Sequence, residues 1–465
     1  MDESFRVITI LLLASVPFLF SFKASKAYSA MPAYVSGHPD FVDTYKYREM
    51  FKQKEFSKIE EQYYERRANN QTIRSIELAI SSGAPENRKL YKQWIRQTPD
   101  SALAYWARCE HYTRIGVYTR GAGWAKDVSE EQYAKMNDTY MSALQNCRKA
   151  LDLDPSLTPA YTSTITMSVM TSQTTLAIYT FNQGIKKAHD IEPILAKYLF
   201  WGFTRRWGGT LIEIREAIQN LRPVLESKDK LKPYLSADLF FKARAAELQE
   251  KNQEAEALYK RAIEQYGNTK YILYNYRLGQ VYKKMGDYEK AIQYLRKAEA
   301  NNPLYHYIYY HLYRTIDASR YPDKSGLKEI NIAIFLATYK PNYLFNRAFY
   351  FHRIAKQPEK AAMDYDRVMV YGEYNSTYRY WRGRYHFHHT KNYKEATKDF
   401  QYVYEMDRLK PEYNYYHGAA LFMQKDCKAK RPLQDFLDLC DKKDCQGAFV
   451  SWTKSTMPHL RRFCP

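Results

Sequence analysis

The chain has 465 residues, 45% of them hydrophobic, with only 17 Gly and 18 Pro, which excludes a disordered, collagen-like or low-complexity protein. Its 71 Lys and Arg against 51 Asp and Glu give a net charge of +20 spread along the sequence. Such a balance suits either a plainly solvated surface or an anionic partner: an acidic protein, a lipid head group, an acidic glycan or nucleic acid.

The first element is the apolar block "VITILLLASVPFLFSF" at 7–22, which is shorter than the roughly 20 residues of a spanning helix. Small residues at Ser25 and Ala27 in "ASKAYSA" suit a secretory leader cleaved after Ala27. An uncleaved anchor and a buried helix are the alternatives, because Asp2 and Glu3 precede Arg6 and the charge bias is not the usual one. A leader or anchor over 1–27 would make the body exported, periplasmic or tied to the inner membrane.

Residues 40–235 read as helices of loose periodicity. "TPDSALAYWARCEHYTRIGVY" starts at Asp100 or Ser101 as a cap, and "SEEQYAKMNDTYMSALQNCRKALDLDP" opens on Ser129. Cys109 and Cys147 fall in these neighbouring helices and could pair across one hairpin. The glycine turns "RGAGWAKD" and "RRWGGT", with "LDLDPSLTPAY" between them, resemble a bacterial domain of unknown function that accompanies tetratricopeptide repeats. That resemblance covers about 90–225 and implies a helical fold without an established activity. Either glycine turn could expose amides to an anion beside Arg120 or Arg205, but neither follows a strand, and a structural turn is the plainer reading.

From 236 onward a period appears. "EAEALYKRA" at 254–262 aligns with "KAIQYLRKA" at 290–298, so Ala255, Tyr259 and Ala262 fall under Ala291, Leu295 and Ala298. "KAAMDYDRV" and "EATKDFQYV" repeat the pattern as Ala361, Tyr365, Val368 and Ala396, Phe400, Val403, 35 positions apart. Gly286-Asp287 splits one unit into two amphipathic helices, neither of which can bury its apolar face alone. The pattern resembles the tetratricopeptide repeat family, best over 272–303, with Leu278, Gly279 and Tyr282 on the first helix and Pro303 closing the unit. The stretch 304–341 fits with an insertion near "YPDKSG", its core being Leu312, Ile330, Ile334 and Ala337; the unit starting near 377 is one residue long between its helices. The resemblance covers about 236–405 and extends loosely to 425; it implies an all-α helical-hairpin solenoid, a right-handed superhelix, over 236–425, behind the irregular helical N-terminal domain.

Four cysteines, Cys427, Cys440, Cys445 and Cys464, crowd into a terminal cap at 426–465. Disulfides fit the spacing better than zinc, since C-x2-C knuckles are missing, with free buried thiols as a third state. The run His386, His388, His389 is the best metal candidate, although an aromatic repeat face is the plainer reading. No nucleophile elbow, H-E-x-x-H or P-loop occurs, so the sequence calls for no cofactor and no catalytic constellation.

In this family the first helices line a concave groove. Carried over by position, the resemblance places there Tyr276, Gln280 and Lys283, then Tyr307, Tyr310 and Arg314, then Tyr343, Asn346, Tyr350 and Arg353, then Tyr378 and Trp381. Such a surface is aromatic and basic. It suits a non-catalytic interaction scaffold that holds an acidic or extended protein segment. The alternative is a binder of acidic polymer, meaning polysaccharide, lipid head groups or nucleic acid, the last fitting poorly with export. An enzyme using Arg and Trp of the N-terminal domain is the third and weakest reading.

Overall fold

In the computed structural model, residues 32–36, 38–69, 71–121, 128–202, 209–319, 326–443, 445 and 447–464 are described, and every regular element among them is helical. The leader block, most of "RGAGWAKD", residues 205–208 of "RRWGGT" and residues 321–325 of the insertion lie outside the described residues.

The first helices build a core of aromatic rings. Pro39–Lys52, Phe56–Ala68 and Asn87–Gln97 meet at Phe51, Phe56 and Trp94, where the Phe56 and Trp94 rings stack 5.1 Å apart. Helix Ala102–Arg120 starts where the Ser101 hydroxyl accepts the Ala104 amide, and Glu130–Leu153 starts where Ser129 accepts the Gln132 amide. Each hydroxyl satisfies one donor that the helix itself leaves orphaned. These two helices form one hairpin, tied by a disulfide between Cys109 and Cys147.

A sequence of antiparallel hairpins follows. The apolar core is continuous across residue 235: Tyr161, Phe181, Leu199, Phe240, Tyr259, Leu278 and Ala291 belong to one cluster. The first repeat hairpin therefore borrows its inner wall from the preceding domain, as each unit of a solenoid borrows from its neighbour.

Within the repeats the periodic residues are the buried ones. Ala255, Tyr259, Ala262, Ala291, Leu295, Ala298, Ala361, Tyr365, Val368, Ala396, Phe400 and Val403 are all buried. They lie on the second helices Asn252–Tyr266, Tyr288–Asn301, Pro358–Gly372 and Tyr393–Met406. On the first helices a glycine receives the larger of these side chains: a Cβ on Gly279 would lie 2.6 Å from Leu295 Cγ, and one on Gly383 would lie 2.8 Å from a Phe400 ring carbon. Leu312, Ile330, Ile334 and Ala337 are buried as well, so the unit with the insertion is built like the rest. The extra residue expected in the unit near 377 is absorbed as a π-helical turn, His386–Thr390, after helix Ser376–Tyr385.

Among the described residues, several hairpins turn through one residue in the left-handed region. Gly286 holds this position with φ of 80°, but Glu250, Lys356, Lys391 and Lys425 hold it elsewhere, with φ between 52° and 61°. At the end of the chain, helices Lys430–Lys443 and Ala448–Phe463 cover the last repeat through Leu433, Met457 and Leu460. Disulfides Cys427–Cys464 and Cys440–Cys445 fix this cap. Among the described residues no cysteine is free.

The stack also returns on itself. Phe41 meets Tyr309 and Phe335 edge-on, and Arg48 donates to the Phe335 carbonyl at 3.1 Å. Leu78, on helix Arg74–Ile80, shares a core with Tyr276 and Leu304. Further along, the Tyr371 hydroxyl donates to the Gly83 carbonyl at 2.6 Å, Tyr374 donates to Glu131 at 3.1 Å, and Lys135 pairs with Glu373. The N-terminal helices thus run along the edge of the solenoid where one repeat hands over to the next, and they close a seam between residues nearly 300 positions apart.

Candidate functional site

The first helices Tyr274–Lys284, His306–Ala318, Pro341–Arg353 and Ser376–Tyr385 lie side by side and bring the family-implied residues into one band. Successive helices touch through it. The Gln280 amide meets the His311 imidazole at 3.0 Å, and Lys283 Nζ donates to the Arg314 carbonyl at 2.8 Å. The Tyr310 and Tyr343 rings stack at 4.6 Å, and Tyr313 donates to the Asn346 carbonyl at 3.4 Å. Phe349 meets Trp381 edge-on at 5.2 Å, and Tyr378 packs on Phe345 at 4.8 Å.

Two of the twelve expected residues do not reach the surface. Tyr276 is 4% exposed and Tyr343 is 0% exposed, so they form the floor of the band rather than its lining. Tyr276 is covered by Tyr305 and His311, and Tyr343 by His306, whose Nδ1 lies 2.7 Å from the Tyr343 hydroxyl. Gln280, Lys283, Tyr307, Tyr310, Asn346, Tyr350, Tyr378 and Trp381 are half-buried, and Arg314 and Arg353 are exposed. A half-buried side chain of this kind has its base packed and its tip free.

The cations of the band are only weakly compensated, with the Asp317 carboxylate acting on Lys283 from a distance. Among the described residues, Lys283, Arg314, Arg353 and Arg384 make no ion pair. Arg314 donates to the Tyr310 hydroxyl, Arg353 lies over the Phe349 ring at 6.0 Å, and Arg384 lies over Trp381 at 4.7 Å. Partial burial, and then the Arg314 guanidinium, push the Lys283 amine down to about 8. Burial and the same cations hold the His311 imidazole down at about 3, so it is neutral at physiological pH. Lys340, which is buried, lies among the Tyr118, Tyr307 and Tyr343 rings where the N-terminal domain meets the band.

The arginines inside the hairpins behave differently, and the sequence reading passed over them. Arg347 makes a two-pronged bond to Asp364, at 2.6 and 2.8 Å, and Arg382 makes the same bond to Asp399, at 2.7 and 2.8 Å. Both aspartates are buried, at 2% and 0% exposure. Each pair spans 17 residues and the two are 35 apart, so one clamp between first and second helix is used twice. That spacing was present in the sequence, but each charge by itself reads as solvated surface.

The histidine run is divided among three partners. His386 is buried and its Nδ1 lies 3.2 Å from the Thr390 hydroxyl; His388 meets the Tyr416 hydroxyl at 3.2 Å; His389 meets His352 of the preceding unit at 2.9 Å. Among the described residues no cluster of three His, Cys, Asp or Glu could hold a metal ion.

The tetratricopeptide repeat family model matches residues 235–302, and this part of the chain is a tetratricopeptide repeat array. No curated protein matches the chain. Among solved structures, the C-terminal part of a repeat-containing protein from Cytophaga hutchinsonii is similar at 16% identity and a TM-score of 0.37, covering 53% of this chain and 95% of that one. Yeast Tom70 is similar at 11% identity and a TM-score of 0.32, covering 91% and 96%. The Cut9–Hcn1 assembly is similar at 10% identity and a TM-score of 0.36, covering 84% and 86%.

Proposed function

We propose that the chain is a non-catalytic protein-interaction scaffold that holds an acidic, extended protein segment along its first helices. The observation that carries this reading is the contrast in charge. Arginines inside the hairpins are matched by buried carboxylates, whereas Lys283, Arg314, Arg353 and Arg384 on the concave band face aromatic rings and carbonyls. Such donors can take carboxylates from a partner, while Tyr307, Tyr310, Tyr350 and Trp381 supply amphipathic area at little entropic cost. The reading extends to location. The apolar block at 7–22 and three disulfides suit an exported or membrane-tied chain in an oxidising compartment. Intact mass of the native protein before and after reduction tests both features.

Charge reversal tests the groove. Lys283→Glu with Arg314→Glu changes exposed or half-exposed positions and leaves helicity unchanged by circular dichroism. Anisotropy with acidic peptide libraries then shows a loss of at least about tenfold, since a charge-assisted contact contributes about 1.5–3 kcal/mol. Unchanged affinity sinks the reading. The net charge of +20 supports a second reading, an acidic-polymer binder. Affinity that ignores peptide sequence and falls steeply with salt would favour it.

A further inference from the structure

The groove ends at a rim where first helices turn into second helices, and here the histidine run meets an unusual set of charges. The His352 and His389 Nε2 atoms lie 2.9 Å apart, from two successive units. Burial lowers the His352 imidazole to about 4, and the charges that add most to this are basic: His389, Arg353, Arg384 and Lys356. Lys391 and Lys356 act on His389 in the same sense, and Arg384 and Lys391 on His388. Carboxylates act on neighbouring groups: Glu359 and Asp366 on Tyr385, Asp366 on His386, and Glu412 on Tyr416. Arg353 and Arg384 flank the Phe349–Trp381 pair, and Arg384 also lies over Tyr416 at 5.3 Å while its Nε is buried without an acceptor.

Two of these cations sit where a lysine costs backbone energy. Lys356 and Lys391 occupy equivalent turn positions with φ of 52° and 54°, the place that Gly286 fills in an earlier unit. Glycine adopts this conformation without strain. Lys425 shares the conformation but closes the next hairpin, so conformation alone does not single the site out. What singles it out is that Lys356 and Lys391 both act on the His389 imidazole, which itself meets His352 at 2.9 Å.

We propose that this rim binds a phosphate monoester carried by the segment in the groove, a phosphoserine or phosphothreonine side chain. The proposal rests on the groove reading and adds the chemistry of one anchor point. A phosphomonoester has close to two charges and three acceptor oxygens. It can therefore use two guanidiniums, two ammonium groups and the N–H of a neutral imidazole together, where a single carboxylate would leave most of them unmatched.

The test uses the full chain and two acidic, tyrosine-containing peptide libraries that differ only in one fixed residue, phosphoserine or serine. The phosphorylated library binds at least about tenfold tighter. Lys356→Gly with Lys391→Gly abolishes that preference while the melting temperature stays or rises, because glycine relieves the turn. Lys425→Gly makes the same backbone change elsewhere and keeps the preference. If both libraries bind equally, the phosphate site is overturned and the groove stands. If neither binds, both fall. If phosphatidic acid vesicles bind through the same two lysines and the libraries show no preference, the ligand is a lipid head group and the proposal is overturned.

Discussion

Replacing Asp399 by Ala removes the acceptor of three donors at once. Arg382 contacts it at 2.7 and 2.8 Å and Arg379 at 3.4 Å, and the carboxylate is 0% exposed. The Arg382 side chain is only 14% exposed, so it cannot move into water without leaving the hairpin; Arg379, at 20% and stacked on Tyr402, can do so more readily. Arg382 then keeps only Asp366, 3.6 Å away and 55% exposed, so the loss falls at the lower end for a broken buried pair, about 3 kcal/mol. Each hairpin packs chiefly on its neighbours, so the damage is greatest nearby and hydrogen exchange is the proper assay. Amides in 376–406 lose protection by about two orders of magnitude, on the order of what about 3 kcal/mol implies, while those in 237–266, far along the stack, change little. The double variant Arg382→Met with Asp399→Leu recovers most of the loss, since two apolar side chains of similar volume need no partner. A cost below about 1 kcal/mol for Asp399→Ala, or a double variant no better than the single one, would refute the view that the clamp holds the hairpin.

Two further outcomes follow from the packing. Gly279→Ala pushes a Cβ to 2.6 Å from Leu295 Cγ and 3.1 Å from the Ala291 carbonyl and costs about 1–3 kcal/mol, read by urea denaturation, with part of the loss returned by Leu295→Ala; a neutral Gly279→Ala contradicts the close helix approach. Burial holds the His111 imidazole down to about 4 and the His417 imidazole down to about 4. Both are neutral in the fold and bind protons once unfolded, so their contribution is complete above pH 6.5 and declines as pH falls toward 4. Denaturation between pH 6.5 and 5 therefore shows about 1.4 kcal/mol of loss per pH unit for each, and His417→Gln flattens the slope by one such share; a flat profile over that window would rule out neutral burial.

The repeat core was legible because its residues recur at a fixed spacing and each is buried by its own neighbours: Ala291, Leu295 and Ala298 need nothing from far away. The hairpin turns were legible only at Gly286, since Glu250, Lys356, Lys391 and Lys425 take the same backbone shape without the residue that announces it. The clamp escaped notice because the cost and gain of Arg382 depend on a partner on another helix, not on the pattern of its own. The carried-over residues fall along one band of first helices, but the depth of Tyr276 and Tyr343 within it depends on Tyr305 and His306 folding over them, which spacing alone does not reveal. The seam lay furthest from view. Phe41 and Phe335 are joined by no local periodicity, and only the curvature of the whole stack brings them together.

That seam sets a rule for how such a chain can change over time. Open arrays gain and lose whole modules freely, because each addition disturbs only its own two junctions. Here Tyr371, Glu373 and Tyr374 must arrive opposite Gly83, Lys135 and Glu131 after the chain has completed its circuit. Duplicating or deleting one 35-residue module would carry them past that meeting place, so the number of modules between the two ends is fixed like the number of links in a clasped bracelet.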